Sequence, residues 1–499
     1  MADGNGESGI GSVATTLTVD RLRRKIGLVL APALFGLMLV LPLPGLSVEA
    51  HRLAAVMVAV ITLWVTEAIP LPVTALLGPT LAIVLGVAPA RQAYAPFADP
   101  LILLFIGSFI LAQAIFVHRL NERIAYGVMS WKVIGARPTR ILIAYGCIAA
   151  FISAWMSNTA TAAMLLPIGL SLLAFMESES SINPRYGTAL MLATAYGCSL
   201  GGMATIVGTP PNVIAAGMIR EFTGTEISFV QWMIFAVPAA VFMVGFLVIY
   251  MNWMGRSGVA EIPGADKIIR ERMAALGPWK NGEKNVLIAF LVTVTLWVVP
   301  GILGIVLGTD HPVAAALSSA VPISVAAIIG ATLLFLMPVS ETERSTITWR
   351  QAANIDWGTI LLFGGGLALG QMASSTGLAE AFGLGITGVV PVGSVITLTF
   401  AAAIFTTILS EAMSNTAAAT IAIPVIISIA QAAGVDPIPP TLAASLTASV
   451  AVILPVSTPA NAIVYSSGKV PITKMIRYGI VVDIVAIIAI PTIVLLFFR

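Results

Sequence analysis

Charge is what this chain has least of. Asp, Glu, Lys and Arg make up 10% of its 499 residues, where a soluble domain carries about 25%, and that shortage excludes an ordinary water-soluble fold. Cysteine and histidine are nearly missing too. Cys147 and Cys198 both sit in apolar sequence, and His51, His118 and His311 are scattered near the ends of apolar runs. Neither set has metal-ligand spacing, which argues against a zinc or haem centre, and each cysteine reads as a buried structural one. No Asn-x-Ser/Thr sequon occurs, in keeping with a bacterial origin. The basic residues form no patch of the kind that holds nucleic acid.

What is present is hydrocarbon. Hydrophobic residues make up 58% of the chain, and runs such as Ile26–Leu46, Leu53–Ile69, Phe229–Tyr250 and Val481–Phe498 are long enough to span a bilayer. The expected fold class is therefore an all-α polytopic membrane protein. Residues 1–24 are polar and Gly/Ser-rich at the start, with no apolar core or cleavage site of a signal peptide, and read as a disordered cytoplasmic tail. With Arg21–Lys25 placed in the cytoplasm and spans counted forward, only Arg52, Arg91, Arg220 and Arg499 of the 25 Lys and Arg fall outside. That asymmetry is what the positive-inside rule requires.

Two copies of one tripeptide organise the chain. Ser157-Asn158-Thr159 and Ser414-Asn415-Thr416 lie 257 residues apart, and the same offset relates Asp99 to Asp356, Gly107 to Gly364 and Pro167 to Pro424. Such a conserved spacing indicates an internal duplication. Around residue 157 the apolar arms are about 15–17 residues each, too short to cross a core of roughly 30 Å. Arg137, Arg140 and Arg185 flank both ends, so this segment reads as a re-entrant hairpin entering from the cytoplasm. The copy at 391–433 has no flanking cation and should enter from outside. Two further spans are interrupted, at Gly208-Thr209-Pro210-Pro211-Asn212 and Ser457-Thr458-Pro459-Ala460-Asn461, where proline cannot continue a helix.

The expected architecture is about eleven spans plus two re-entrant hairpins in two inverted-topology repeats. After the tail, scaffold helices of the first repeat occupy 25–136, and its hairpin, broken helix and following helix 137–253. An amphipathic cytoplasmic linker covers 254–283. Scaffold helices of the second repeat occupy 284–390, and its hairpin, broken helix and last helix 391–499.

Hairpin tips and helix breaks leave backbone groups without helical partners, which hydrocarbon tolerates only where they line a cavity or bind something. Freed carbonyls with Ser, Thr and Asn oxygens suit Na⁺, and helix N-termini suit a carboxylate. No Lys or Arg lies in these segments, Lys469 being the nearest, so a dianion would need bound cations to offset its charge. A neutral solute would also suit such a site. A single Ser-Asn-Thr would be interhelical glue and a single Pro-Pro only a kink; their ordered duplication is what argues for a site. Glu67, Asp99 and Asp356 read as span-end caps. Glu411, where the first repeat has Ala154, either tunes a cation site or faces water. The Ser and Thr clusters have no accompanying base, which disfavours an intramembrane enzyme.

The paired Ser-Asn-Thr motifs, GTPPN, STPAN, TEAIPLPVTAL and SVAVILPVSTPANAIV together resemble the divalent anion/sodium symporters, over residues from about 25 to 499. Val452 stands where Phe is usual, and Ala460 replaces the second proline of the TPPN pattern, which would loosen the second break. The resemblance implies a homodimer in the bacterial inner membrane, with its N-terminus cytoplasmic, that works as an elevator. It implies one Na⁺ site from Ser153, Ser157, Asn158 and Gly208, and another from Ser410, Met413 (by its carbonyl), Asn415 and Ser457. Substrate carboxylates would meet Asn158, Thr159, Thr209, Asn415, Thr416, Thr458 and Pro459. The implied activity is Na⁺-coupled import of succinate, malate or fumarate. The alternatives are Na⁺-independent dicarboxylate exchange, or symport of sulfate or another divalent anion.

Overall fold

The computed structural model describes residues 7–308, 310–387 and 393–498; side chains are described from residue 21, and not for 386–387. All of its regular structure is helical. The first half contains α1 (Glu7–Val40), α2 (Val48–Thr66), α3 (Leu71–Val84), α4 (Ala90–Tyr94), α5 (Pro100–Val117) and α6 (Leu120–Met129). It continues with α7 (Pro138–Ser153), α8 (Asn158–Glu179), α9 (Pro184–Gly202), α10 (Pro210–Thr223) and α11 (Phe229–Met254). A connecting helix, α12 (Ala265–Ala275), follows. The second half contains α13 (Asn281–Leu307), α14 (Pro312–Ala320), α15 (Ile323–Leu336), α16 (Trp349–Ala352), α17 (Trp357–Ser375) and α18 (Leu378–Thr387). It ends with α19 (Val395–Ala412), α20 (Asn415–Ala432), α21 (Ile438–Ala448), α22 (Pro459–Tyr465) and α23 (Ile472–Phe497).

Among the described residues eight helices are long and apolar enough to cross a membrane, or nine if α14 and α15, bent by 57°, form one span. Length alone does not separate a span from a hairpin arm: α8, α19 and α20 pass the test, although each abuts a Ser-Asn-Thr turn. The broken pairs α9–α10 and α21–α22 are not among them: α10, α21 and α22 are short, and α9, although 19 residues long, is rich in Gly, Thr and Tyr and less apolar.

The halves pack through each other. α5 lies against α15 and α3 against α17, so each early region interleaves with its counterpart. In the later regions α7 packs on α9 and α19 on α21, while α8 meets α22 and α10 meets α20 across the halves. Small residues permit the close crossings. A Cβ on Gly201 would stand 2.1 Å from the Ala150 carbonyl oxygen, and one on Gly365 2.3 Å from that of Ala75. The halves are also tied where α6 meets the start of α13. Buried Arg123 donates to Glu283 at 2.9 Å and to the carbonyls of Leu276, Gly277 and Pro278, with its guanidinium 5.1 Å from the Trp279 ring.

Several expectations need correction. Residues 7–24 continue α1 instead of forming a disordered tail, because a helix already nucleated by an apolar span adds residues at little cost. The run 98–130 reads from hydropathy as one long helix with room to bend along the membrane surface; it breaks at His118–Arg119, where Arg119 takes a left-handed conformation (φ 55°). Similar divisions separate α14 from α15 at Val321–Pro322 and α17 from α18 at Thr376–Gly377. Cys147 is exposed on α7, whereas Cys198 is buried. In a membrane protein an apolar position can face lipid as readily as core, so apolar context does not predict burial. Residues 1–6 of the expected tail, the 390/391 boundary and Arg499 lie outside the described residues.

Candidate functional site

The two hairpin tips share one local construction. Ser157 caps α8 by accepting from the Ala160 amide at 3.3 Å, and Ser414 caps α20 by accepting from the Ala417 amide at 3.3 Å. Ser153 donates to Asn158 Oδ1 at 2.6 Å, and Ser410 to Asn415 Oδ1 at 2.9 Å. Each of these bonds recurs at the 257-residue offset seen in the sequence. Both serines are fully buried, and each orients its asparagine's amide.

The two helix breaks are likewise built alike, 249 residues apart. Buried Asn212 donates to the carbonyls of Gly202 (3.1 Å) and Thr205 (2.7 Å). Buried Asn461 donates to those of Ala451 (3.4 Å) and Leu454 (3.0 Å), the equivalent positions. In each case the asparagine side chain takes up carbonyls that the interrupted helix leaves unpaired, which is how non-helical backbone survives at this depth. The breaks differ in their caps. Thr458 accepts from the Asn461 amide at 3.1 Å, whereas Thr209 makes no side-chain cap bond. Where Ala460 replaces the second proline, the Thr458 cap supplies an anchor that the double-proline break does without.

These four elements meet around one cavity of about 600 Å³. Of the residues expected to hold substrate, all seven line it: Asn158, Thr159, Thr209, Asn415, Thr416, Thr458 and Pro459. Of the expected cation ligands, Ser157, Asn158, Gly208, Asn415 and Ser457 line it. Ser153, Ser410 and Met413 are buried and do not. Around the first tip, oxygens converge tightly. A Cβ on Gly208 would fall 2.3 Å from the Gly202 carbonyl oxygen and 2.9 Å from that of Ala154, and one on Gly202 would fall 2.6 Å from Asn158 Oδ1. A cluster of carbonyl and amide oxygens without fixed charge is the donor set of a hard monovalent cation. The N-termini of α8, α10 and α20 open on the same cavity and bring partial positive charge to it.

The opposite wall consists of residues to which the sequence assigned no site role. Phe109, Ala112, Gln113 and Phe116 come from α5; Leu71 and Pro72 from the start of α3; and Asn354, Asp356, Gly358 and Thr359 from the start of α17. Among the described residues, no lysine or arginine lines the cavity. Lys469 instead pairs with Glu177 at 2.8 Å. Asp356 is the one carboxylate on the wall, and both its oxygens are engaged at the cap of α17: Oδ1 accepts from the Thr359 amide at 3.1 Å, and Oδ2 from its hydroxyl at 2.6 Å. Asp99 caps α5 and pairs with Arg220. Glu67 ends α2 in a left-handed conformation and pairs with Arg23 at 2.9 Å. Glu411 belongs to the second break rather than to open water: it accepts from the Ile453 amide at 2.9 Å and the Ser457 hydroxyl at 2.6 Å.

Comparison with known proteins agrees with this geometry. The chain is 35% identical to a protein named sodium-dependent dicarboxylate transporter SdcS from Staphylococcus saprophyticus, over 94% of this chain and 90% of that one. It is 34% identical to the protein of the same name from Staphylococcus aureus, over 93% and 89%. Among solved structures, the fold is similar to the Alcanivorax borkumensis YdaH transporter (TM-score 0.55, 14% identity, 81% of this chain and 86% of that one). It is also similar to Neisseria gonorrhoeae MtrF (TM-score 0.55, 13% identity, 81% and 82%). The profile described as "Sodium:sulfate symporter transmembrane region" matches residues 22–499, and the chain belongs to that family of multi-pass membrane transporters.

Proposed function

We propose that the protein imports C4-dicarboxylates such as succinate, malate and fumarate by Na⁺ symport, and that the cavity between the two tips is the shared substrate and cation site. The observation that carries this reading is a cavity ringed by helix N-termini and by Ser, Asn and Thr residues from both repeats, with no basic side chain among the described residues that line it. Three helix N-termini offer an anion about 0.3–1 kcal/mol each, up to ~2 in buried geometry. Removing a carboxylate from water costs several kcal/mol per ion. Helix ends alone therefore do not balance a dianion, and cations bound beside it close the gap. The names of the relatives support Na⁺ and dicarboxylate as the coupled pair.

In this reading Ser153, Ser157, Asn158 and Gly208 form one Na⁺ site, completed by the neighbouring carbonyls of Ala154 and Gly202. Ser410, Met413, Asn415 and Ser457 form the other. Asn158 and Asn415 have dual roles: the oxygen of each amide faces its cation and its serine, and the nitrogen is left to donate to a substrate carboxylate. Thr159, Thr209, Thr416 and Thr458 add hydroxyls. Ordering of the tip by Na⁺ would then precede and permit substrate binding, which is coupling in thermodynamic terms.

The topology we assign has eleven spans and two opposed hairpins, with the N-terminus in the cytoplasm of a bacterial inner membrane. The scaffold walls then define the state. Phe116, Leu71 and Asp356 line the cavity at the ends of α5, α3 and α17 that this topology assigns to the cytoplasmic side, so in this reading the cavity opens to the cytoplasm. Alternating access would follow from sliding hairpins and broken helices along α3, α5, α15 and α17 within a homodimer. The direct test is competition for Na⁺-dependent uptake of labelled succinate into proteoliposomes. Malate and fumarate should displace the label, and sulfate should not; displacement by sulfate alone would overturn the substrate assignment.

A further inference from the structure

One buried carboxylate lies behind the site and has no part in the reading above. Asp483 sits in the middle of α23, and neither of its side-chain oxygens finds a hydrogen-bond donor. It lies against Glu411, the residue at the second hairpin where the first repeat carries Ala154. The backbone explains the placement. A Cβ on Gly479 would fall 2.7 Å from the Val452 carbonyl oxygen and 3.0 Å from the Ile453 nitrogen, so α23 presses directly on the second break. The Ile453 amide donates to Glu411 Oε1, and Asp483 follows Gly479 by one helical turn on the same face. Among the described residues, no ion pair involves either acid, and no third His, Cys, Asp or Glu joins them in a cluster.

Two carboxylates face to face in a low-dielectric interior, with no cation between them, are not stable as bare anions. Glu411 already accepts from an amide and a hydroxyl, and these bonds favour its charged form. A positive charge, either a shared proton or a metal cation, therefore belongs between Asp483 and Glu411. We propose that these two side chains hold a further Na⁺, distinct from the two sites at the hairpin tips, that is carried with the substrate. The assignment rests on the Na⁺-symport reading. Only oxygen donors are present, which selects a hard cation, and two carboxylates with few further oxygens fall short of the six to eight that Ca²⁺ takes. Ser457 supplies the route. Its hydroxyl donates to Glu411 Oε2 while the residue lines the cavity, so the pair is one side chain away from the space where cations arrive. The first repeat has no such pair, because Ala154 cannot supply a carboxylate.

The test is the ratio of labelled Na⁺ to labelled succinate taken up by proteoliposomes holding the full-length protein. Asp483→Asn should lower the ratio by one Na⁺ per substrate relative to wild type, and Asp483→Glu should keep the wild-type ratio. An unchanged ratio in Asp483→Asn with uptake intact overturns the site. So does an unchanged ratio accompanied by loss of substrate-linked proton uptake, which would mean that the acids share a proton. If Asp483→Asn carries no substrate, Na⁺-dependent thermal stabilisation in detergent, against K⁺ at matched ionic strength, decides instead. A shallower Na⁺ dependence than wild type supports the site, and superimposable curves overturn it. The symport reading fails separately, if wild type takes up succinate equally with Na⁺ or K⁺; a Na⁺ stabilisation that Asp483→Asn weakens would still establish the cation site.

Discussion

The first and second helix breaks perform the same structural task with different chemistry. Both place an asparagine under the unpaired carbonyls and both press a threonine toward the cavity, at positions 249 residues apart. The first does so with Gly208, two prolines and an uncapped Thr209; the second with Ser457, one proline and a Thr458 that caps its own short helix. Around the first, glycine lets carbonyl oxygens crowd together, and the site is electrically neutral. Around the second, Glu411 brings a formal charge and reaches a second acid on α23. Duplication thus preserved what keeps interrupted backbone soluble in hydrocarbon, while the side chains around it diverged. The lesson is that symmetry in the backbone does not require symmetry in the side chains around it.

The comparison breaks most visibly at the tips. Asn158→Ala and Asn415→Ala should each reduce Na⁺-dependent succinate uptake to background while the purified protein still elutes as a monodisperse peak. Near-normal uptake by either variant would show that one repeat suffices. Gly202→Ala should have the next largest effect. Its added methyl would meet Asn158 Oδ1 at 2.6 Å, so half-maximal uptake should need several-fold more Na⁺. The equivalent position in the second repeat is already Ala451, so the defect should be confined to the first cation site.

Stability separates the breaks more finely. Asn212→Ala removes donors from buried carbonyls at 2.7 and 3.1 Å, and Asn461→Ala from carbonyls at 3.0 and 3.4 Å. Leaving such groups unsatisfied costs about 1–3 kcal/mol each, and thermal unfolding in detergent should show the larger loss for Asn212→Ala. The smallest change is expected for Ala460→Pro. It recreates at the second break the proline pair that the first already accommodates, and should shift stability by no more than about 1 kcal/mol. A larger loss would show that the two breaks differ in backbone path.

Much of this was legible in the sequence because interruptions are loud in hydrocarbon. Ser-Asn-Thr within apolar arms, and Pro within a span, have few explanations at membrane depth, so both hairpins, both breaks and every proposed substrate contact could be named in advance. The scaffold wall could not. Phe109, Phe116 and Gln113 belong to a continuous apolar helix whose sequence is the same whether it faces lipid, core or cavity; only the packing of α5 against α15 and α17 decides. Asp356 was readable as a cap but not as a wall residue, since capping is local and its place beside the cavity is tertiary. Asp483 was a single acid in a last helix with no motif around it, and Glu411 could not be placed until Ile453 and Ser457 were seen to hold it. The length of the 98–130 run suggested a bend, but its position at Arg119 was hidden, because neither Gly nor Pro marks it.

The measurement that tests the central claim most directly is uptake of labelled succinate into empty proteoliposomes, with an inward Na⁺ gradient compared with a matched K⁺ gradient. Concentrative uptake with Na⁺ alone is the predicted result. Uptake with neither ion, restored by preloading the vesicles with a dicarboxylate, would contradict it: the protein would be an exchanger, and the Na⁺ sites assigned to the two tips would have to be withdrawn.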